Sequence, residues 1–396
     1  MSTYRPDCLR FGAFIAPYHS LAENPTLVLE RDMQLVELLD QLDYNEAWVG
    51  EHHSAGFEPI ASPELFIAAV AERTRRIRLG TGVSSLTYHH PLILADRIVQ
   101  LDHQTRGRIM FGVGPGQLPS DAAMLGIDPS DQRDMMIDSL EAILDLFEGN
   151  IVTCDKGWFK LNEARLQVLP YQRPRMEIAV ACAITPNGPV TAGRLGASML
   201  SVAASSGPGF AALPDHWRIC EEVAAEHGRV VHRDSWRVVA PLHVAETREQ
   251  ARADLASGII PSVVDYLRKL GMEDHLDSLR GIKTAEDAVD AWSNNTWGTF
   301  GRLTYGTPDD IADKIEEMLE HSGGFGTFLF LAHNAANSEA TRKSYELFAR
   351  YVMPRFQSRD RRAESADWVS GRSRELVGSM FKANEKALEK NKDRLR

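Results

Sequence analysis

Four short stretches of this chain bring together residue types that can move protons, border a planar ring or hold an anion. Glu51-His52-His53 sets two imidazoles beside a carboxylate. Histidine titrates nearest neutral pH, so such a ring can give or take a proton once its neighbours tune it. Gly80-Thr81-Gly82-Val83-Ser84-Ser85 and Gly112-Val113-Gly114-Pro115-Gly116-Gln117 are glycine turns of the kind that let backbone approach a flat ligand closely. Thr185-Pro186-Asn187-Gly188 precedes a helical pattern. The free N–H groups and dipole of a helix start attract phosphate there, although Thr and Asn also serve as ordinary caps.

Rival chemistries are poorly supplied. Adjacent residues in extended chain point to opposite sides, so His52 and His53 do not converge on one metal ion, and no HExxH pattern occurs. The turn at Gly112 lacks the third glycine of a dinucleotide fingerprint, and Pro115 removes an amide donor that a phosphate cradle would use. Cys8, Cys154, Cys182 and Cys220 lie far apart with no CxxC, which argues against a disulfide framework or a cysteine zinc site.

These stretches share one property: each follows a short apolar run that reads as a strand. The runs are Leu9–Ala16, Glu46–Gly50, Ile77–Val83, Ile109–Val113, Glu177–Ala183, Ala197–Ala203, Arg237–Val244 and Thr327–Leu331, mostly followed by amphipathic helical patterns. Asn24-Pro25 and Ser62-Pro63-Glu64 are helix-start signals, with a capping side chain before a proline suited to the first turn. Eight βα units predict a closed α/β architecture, a (β/α)8 TIM barrel, whose active site is built where strands end. That rule gathers the four stretches at one rim. Residues 149–176 read as a β-hairpin excursion, and 258–305, with Trp292, Asn294, Asn295 and Trp297, as a second insert of the kind that becomes a lid. We expect one barrel domain over 1–357 and a C-terminal helical tail over 358–396.

Composition narrows the partners. The 396 residues are 43 % apolar and 25 % charged with a net charge of −11, which disfavours nucleic acid as a partner. The tail holds eleven Lys/Arg against seven Asp/Glu, leaving −15 on the rest of the chain. No apolar run is long enough to span a membrane, and the charged start MSTYRPDCLR does not read as a secretion signal, so a cytoplasmic protein is expected.

The stretches EAWVGEHHSAGFEPIASPELFIAAVAERTRRIRLGTGV and HHPLILADRIVQLDHQTRGRIMFGVGPG, with TYGTPDDIADKIEEMLEHSGGFGTFLF later, closely resemble the bacterial luciferase-like flavin monooxygenases. Within them the N-terminal half is most similar to the limonene 1,2-monooxygenase group. The resemblance implies a barrel of that type, with loop inserts and a C-terminal helical extension. It also implies reduced FMN (FMNH2) supplied by a separate NAD(P)H:flavin reductase, O2 as co-substrate, and oxygen transfer through a flavin C4a-(hydro)peroxide. A small hydrophobic or heteroaromatic substrate is expected, with Phe14, Val49, Phe57, Ile60, Trp297 and Phe300 as apolar mouth residues. Alkene epoxidation, ring hydroxylation and Baeyer–Villiger oxidation of a ketone remain open outcomes. So do F420-dependent hydride transfer on the same fold, cleavage of a flavin or similar heterocycle, and a non-catalytic flavin-binding subunit.

Carried over by position, His52 matches the catalytic histidine with His53 beside it. Gly82-Val83 falls where the family has a non-prolyl cis peptide under the flavin ring, and Gln117 at a ring contact. Thr185, Asn187 and Gly188 match the phosphate turn, and Ser201 a contact on the sixth strand. Where luciferase carries a reactive cysteine and a phosphate-binding arginine, this chain has Gly114 and Pro115. Homodimers or homotetramers are usual in the family.

Overall fold

The computed structural model describes residues 3–16, 18–294, 297, 300–358 and 360–394. Its centre is a barrel of eight parallel strands, β1 (Arg10–Ile15), β2 (Glu46–Val49), β3 (Arg78–Thr81), β4 (Ile109–Gly114), β5 (Ile178–Cys182), β6 (Ser198–Ser201), β7 (Arg237–Ala240) and β8 (Thr327–Leu331). The order is β3-β2-β1-β8-β7-β6-β5-β4, and β3 pairs again with β4 through Leu79–Ile109 and Gly80–Met110, which closes the barrel.

Local sequence sets the helix starts. Asn24 caps Pro25–Gln41 by accepting from the Thr26 N–H, and Ser62 caps Pro63–Ala71 by accepting from Leu65. The run expected as one strand over Arg237–Val244 divides at Pro241, which has no N–H to give a ladder. Leu242–Val244 then leaves the barrel and pairs with Thr304–Gly306. Residues 152–155 and 160–164 form the expected antiparallel hairpin.

The described part of segment 258–305 is largely helical, where the sequence reads as an irregular insert. It contains a π-helical turn, Ile260–Val264, running into Asp265–Lys269, and a helix over Ala285–Asn294. Its apolar residues form a second core with Tyr18 and Phe57, in which the Trp292 and Trp297 rings stack at 5.6 Å. Asn295 lies outside the described residues. The tail is a single helix, Arg362–Lys390, with no buried residue. Among the described residues, no helix is long and apolar enough to cross a membrane.

The barrel lumen is layered. At the amino ends of the strands, the fully buried Arg237 donates to Glu46 from Nε (2.7 Å) and Nη2 (2.9 Å), and to Glu177 from Nη1 (2.6 Å). Burial would raise the Glu177 carboxyl, but Arg237 and Arg78 outweigh it and hold it down at about 2. Above them the Trp48 indole fills the middle of the barrel, its Nε1 donating to Glu46 at 2.9 Å and its ring lying 4.9 Å from the Arg237 guanidinium. Gly80 is a glycine because of that ring: a Cβ there would sit 2.5 Å from Trp48 Cε3. The plugged lumen therefore gives the mouth a solid floor.

Candidate functional site

β2 ends at Val49 and the chain leaves the barrel as Gly50-Glu51-His52-His53. The alternating backbone sends the two imidazoles to different partners. His52 lies between two carboxylates, with Nε2 2.8 Å from Glu58 Oε2 and Nδ1 3.3 Å from Asp121 Oδ2. Glu58 comes from the same loop, and Asp121 from the short helix Pro119–Met124 after β4. The two contacts differ in kind. Glu58 Oε2 has no aligned hydrogen-bond donor among the described residues, so its approach to His52 is charge against charge. Asp121 is fully engaged: its Oδ1 also accepts from the His53 backbone N–H (3.1 Å) and the Ser54 hydroxyl (2.5 Å).

Burial alone would favour a neutral His52, yet Glu58 and Asp121 override it and push the ring up to about 10. Asp121 moves the opposite way; burial raises it, but His52 and Ser54 hold it below the usual carboxylate range. His53 turns to Glu51, whose Oε1 accepts from His53 Nε2 (3.0 Å) and from His89 Nε2 (2.7 Å). Glu51 Oε2 takes the Ser85 backbone N–H at 2.6 Å. Burial raises the Glu51 carboxyl, but the two histidines and that amide keep it low, and Glu51 in turn raises His53. One buried carboxylate thus ties the loops after β2 and β3 together. Another, Asp121, ties the loops after β2 and β4.

The floor is apolar. Phe14, Val83, Val202 and Leu331 pack with Trp48, and Val83 keeps part of its side chain exposed. The Gly82–Val83 peptide bond is cis, the geometry implied by the family resemblance. The buried Ser84 hydroxyl next to it has no partner among the described residues. Gln117 is exposed on the rim.

After β5, Thr185, Pro186 and Asn187 are exposed and the helix Asn187–Leu195 begins with Pro186 at the cap position. Thr and Asn were candidate caps, but no side chain caps this helix. Its first N–H groups are therefore unclaimed by a cap. Gly188 allows the helix to start against β5, since a Cβ there would lie 2.7 Å from the Ala181 carbonyl oxygen and from Cys182 Sγ. Ser201 behaves differently from the other candidates. Its hydroxyl accepts from Trp236 Nε1 at 2.9 Å, in the layer between strands and helices.

Two of the expected mouth residues also belong elsewhere: Val49 and Ile60 are in the sheet–helix core. Phe57 and Phe300 join Tyr18 and Tyr266 in an aromatic group, with Tyr18–Tyr266 centroids 4.9 Å apart, Tyr18–Phe300 5.1 Å and Phe57–Tyr266 5.3 Å. Burial first, then the Glu58 charge, raises both tyrosine phenols, which puts this group within electrostatic reach of the His52 cluster. Among the described residues, no group of His, Cys, Asp and Glu could hold a metal ion.

Glu58, Asp121 and Tyr266 escaped the sequence reading. A carboxylate inside the apolar loop Gly56-Phe57-Glu58-Pro59-Ile60 was a usable signal, because a lone buried charge needs a partner. Asp121, one of many acids in a first helical turn, carried none.

The model of the family described as luciferase-like monooxygenase matches residues 9–326, four-fifths of the chain, taking in the first seven barrel strands and ending just before β8. The chain belongs to that family. Within it, this luciferase-like protein is 44 % identical over 346 residues to limonene 1,2-monooxygenase of Rhodococcus erythropolis, covering 87 % of this chain and 86 % of that one. It is also 44 % identical over 370 residues to 4-hydroxyprotoasukamycin monooxygenase of Streptomyces nodosus subsp. asukaensis, covering 92 % and 97 %. In fold it is similar to the oxygenating constituent of 3,6-diketocamphane monooxygenase of Pseudomonas putida, solved with FMN, at a TM-score of 0.73 and 23 % identity, covering 88 % and 98 %.

Proposed function

We propose that this luciferase-like protein is the oxygenating component of a two-component FMN system, inserting one oxygen atom from O2 into a small hydrophobic or heteroaromatic substrate. The observation that carries this reading is the rim itself. An imidazole set between two carboxylates, an apolar platform at Val83 and Phe14, and an uncapped helix start all lie at the carboxyl ends of the barrel strands. The donor set fits FMN. The amides of Asn187 and Gly188 suit the phosphate, with Thr185 beside them; Val83 and Gln117 suit the ring; and the unpaired Ser84 hydroxyl suits a polar ring edge. When bound in reduced form, the flavin supplies the electrons that activate O2.

The protein's own residues divide the remaining work. His52 holds a proton at the mouth and offers it to oxygen, while Glu51 fixes His53 and His89 so that the loop after β2 keeps its place. The aromatic group of Tyr18, Phe57, Tyr266 and Phe300 excludes water from that side. A separate NAD(P)H:flavin reductase supplies FMNH2 in this reading.

The test is oxygen uptake and product analysis with photoreduced FMN and a panel of terpenes, ketones and N-heteroaromatics, run beside binding of reduced FMN and reduced F420. We expect FMNH2-dependent product that disappears in His52→Ala while FMN still binds. Preferential F420 binding with no oxygen uptake refutes the proposal, and unchanged turnover in His52→Ala refutes the role given to His52.

A further inference from the structure

We propose that Glu58 is a positioning residue which, together with Asp121, fixes His52 as an imidazolium that can donate a proton or hydrogen bond at the mouth but cannot act there as a base. The inference deepens the functional reading above and rests on it only for the identity of what receives the proton.

Glu58 is 8 % exposed and Asp121 1 %, and among the described residues each forms its single ion pair with His52. No lysine or arginine pairs with either. A carboxylate taken out of water needs a cation or a dense set of donors, because an unpaired buried charge is far costlier than a paired one. Asp121 has both: the His53 amide and the Ser54 hydroxyl on Oδ1, and His52 on Oδ2. Glu58 Oε2 has no aligned donor, and among the described residues its one ion-pair partner is His52 Nε2 at 2.8 Å. The His52 proton therefore compensates two buried charges at once.

The other titratable groups around the cluster do not supply that compensation. Tyr18 and Tyr266, on the aromatic side, have their phenols raised and stay neutral. His53 and His89, on the barrel side, are committed to Glu51. The consequence for chemistry follows from the ring itself. Nδ1 is hydrogen-bonded to Asp121, while Nε2 lies 2.8 Å from Glu58 without an aligned hydrogen bond, so the imidazolium keeps an Nε2–H to offer and has no lone pair to act as a base. A histidine at this rim would act as a base only if Glu58 left it.

The test needs no flavin. The full chain is made with 15N-labelled histidine, and the His52 ring signals are identified by their loss in His52→Gln. Their chemical shifts are followed from pH 6 to 9.5. The wild-type ring should remain imidazolium through neutral pH and begin to titrate only at the basic end of this range. Glu58→Gln, which keeps the shape and removes the charge, should lower its proton affinity at least tenfold, and Glu58→Asp should restore part of it. In turnover, the basic limb of the kcat–pH profile should move by the same amount in Glu58→Gln, with FMN affinity unchanged. A neutral His52 ring in the wild type at pH 7.5 overturns the proposal without needing any variant to fold. So does an unmoved titration in a folded Glu58→Gln protein. If the ring stays cationic but neither FMN binding nor oxygen uptake is found, the functional reading fails and the assignment of Glu58 stands.

Discussion

Gly80→Ala tests whether the core under the mouth is as tightly coupled to the site as the geometry implies. The new Cβ would lie 2.5, 2.7 and 2.8 Å from Trp48 Cε3, Cδ2 and Cζ3. Carbons in contact settle at about 3.5–4.0 Å, so the indole must move by about 1 Å. It has little room to move sideways. Its Nε1 is tied to Glu46 at 2.9 Å, and the Arg237 guanidinium lies 4.9 Å from its ring. Two terms of opposite sign compete. Replacing glycine by alanine stiffens the unfolded chain, a gain of about 0.4–1 kcal/mol, while forcing a methyl into a packed core costs about 1–3 kcal/mol. The overlap reaches three ring atoms, so the second term wins and the net loss should be about 1–2 kcal/mol. With an unfolding entropy of about 2.1 cal/mol/K per residue over roughly 350 barrel residues, the melting temperature should fall by about 1–3 °C. FMN should also bind more weakly, because Phe14 and Val83 rest on the displaced ring. Scanning calorimetry and FMN titration measure both effects, and Trp48→Phe in the same background should recover much of the loss through a coupling of ~1 kcal/mol. A rise in melting temperature in Gly80→Ala, or strictly additive effects in the double variant, would refute the reasoning.

Three further outcomes follow, two from the amino-end layer of the barrel and one from the rim. Glu46→Gln leaves Arg237 buried with half its carboxylate partners, and should lower the unfolding free energy in urea by about 3–5 kcal/mol while leaving the His52 signals in place. The same cluster sets an acid limit: Glu177 is held at about 2, so its contribution is complete above the unfolded carboxylate pKa of about 4.3 and is lost as pH falls toward 2. At the rim, Gly188→Ala brings a Cβ to 2.7 Å from the Ala181 carbonyl and displaces the helix start. It should weaken FMN several-fold and leave riboflavin, which lacks the phosphate, nearly unchanged; equal losses for both ligands would contradict a phosphate site there.

Much of this barrel was legible because its signals are local. The apolar runs, the Asn24 and Ser62 caps and the glycine turns each act within a few residues, and strand ends in a barrel gather at one rim whatever the loops do. What was not legible depends on neighbours brought together by closure. Ser201 ends a strand, as the family pattern requires, yet the strand's alternation turns its hydroxyl toward Trp236 and away from the lumen side occupied by Leu200. Val49 follows the same rule, and its place in the outer core fits the position of Trp48, one residue earlier, in the lumen.

The charge state of His52 is the deeper case. In the sequence it is a histidine beside another histidine and a glutamate, and the adjacent Glu51 is the natural partner to assign to it. The pleat hands Glu51 to His53 instead, and leaves His52 to a glutamate six residues on and an aspartate sixty-nine residues away. Two nearby carboxylates raise a histidine and one desolvated pocket lowers it, so the adjacent-residue reading could not give even the sign of the shift. The loop after β2, the helix start after β4 and the aromatic side of the insert must all close around the ring before its protonation is decided. The chemistry of this mouth is therefore a property of the assembled barrel, and Glu58, a loop residue paired with His52, is the residue on which that property turns.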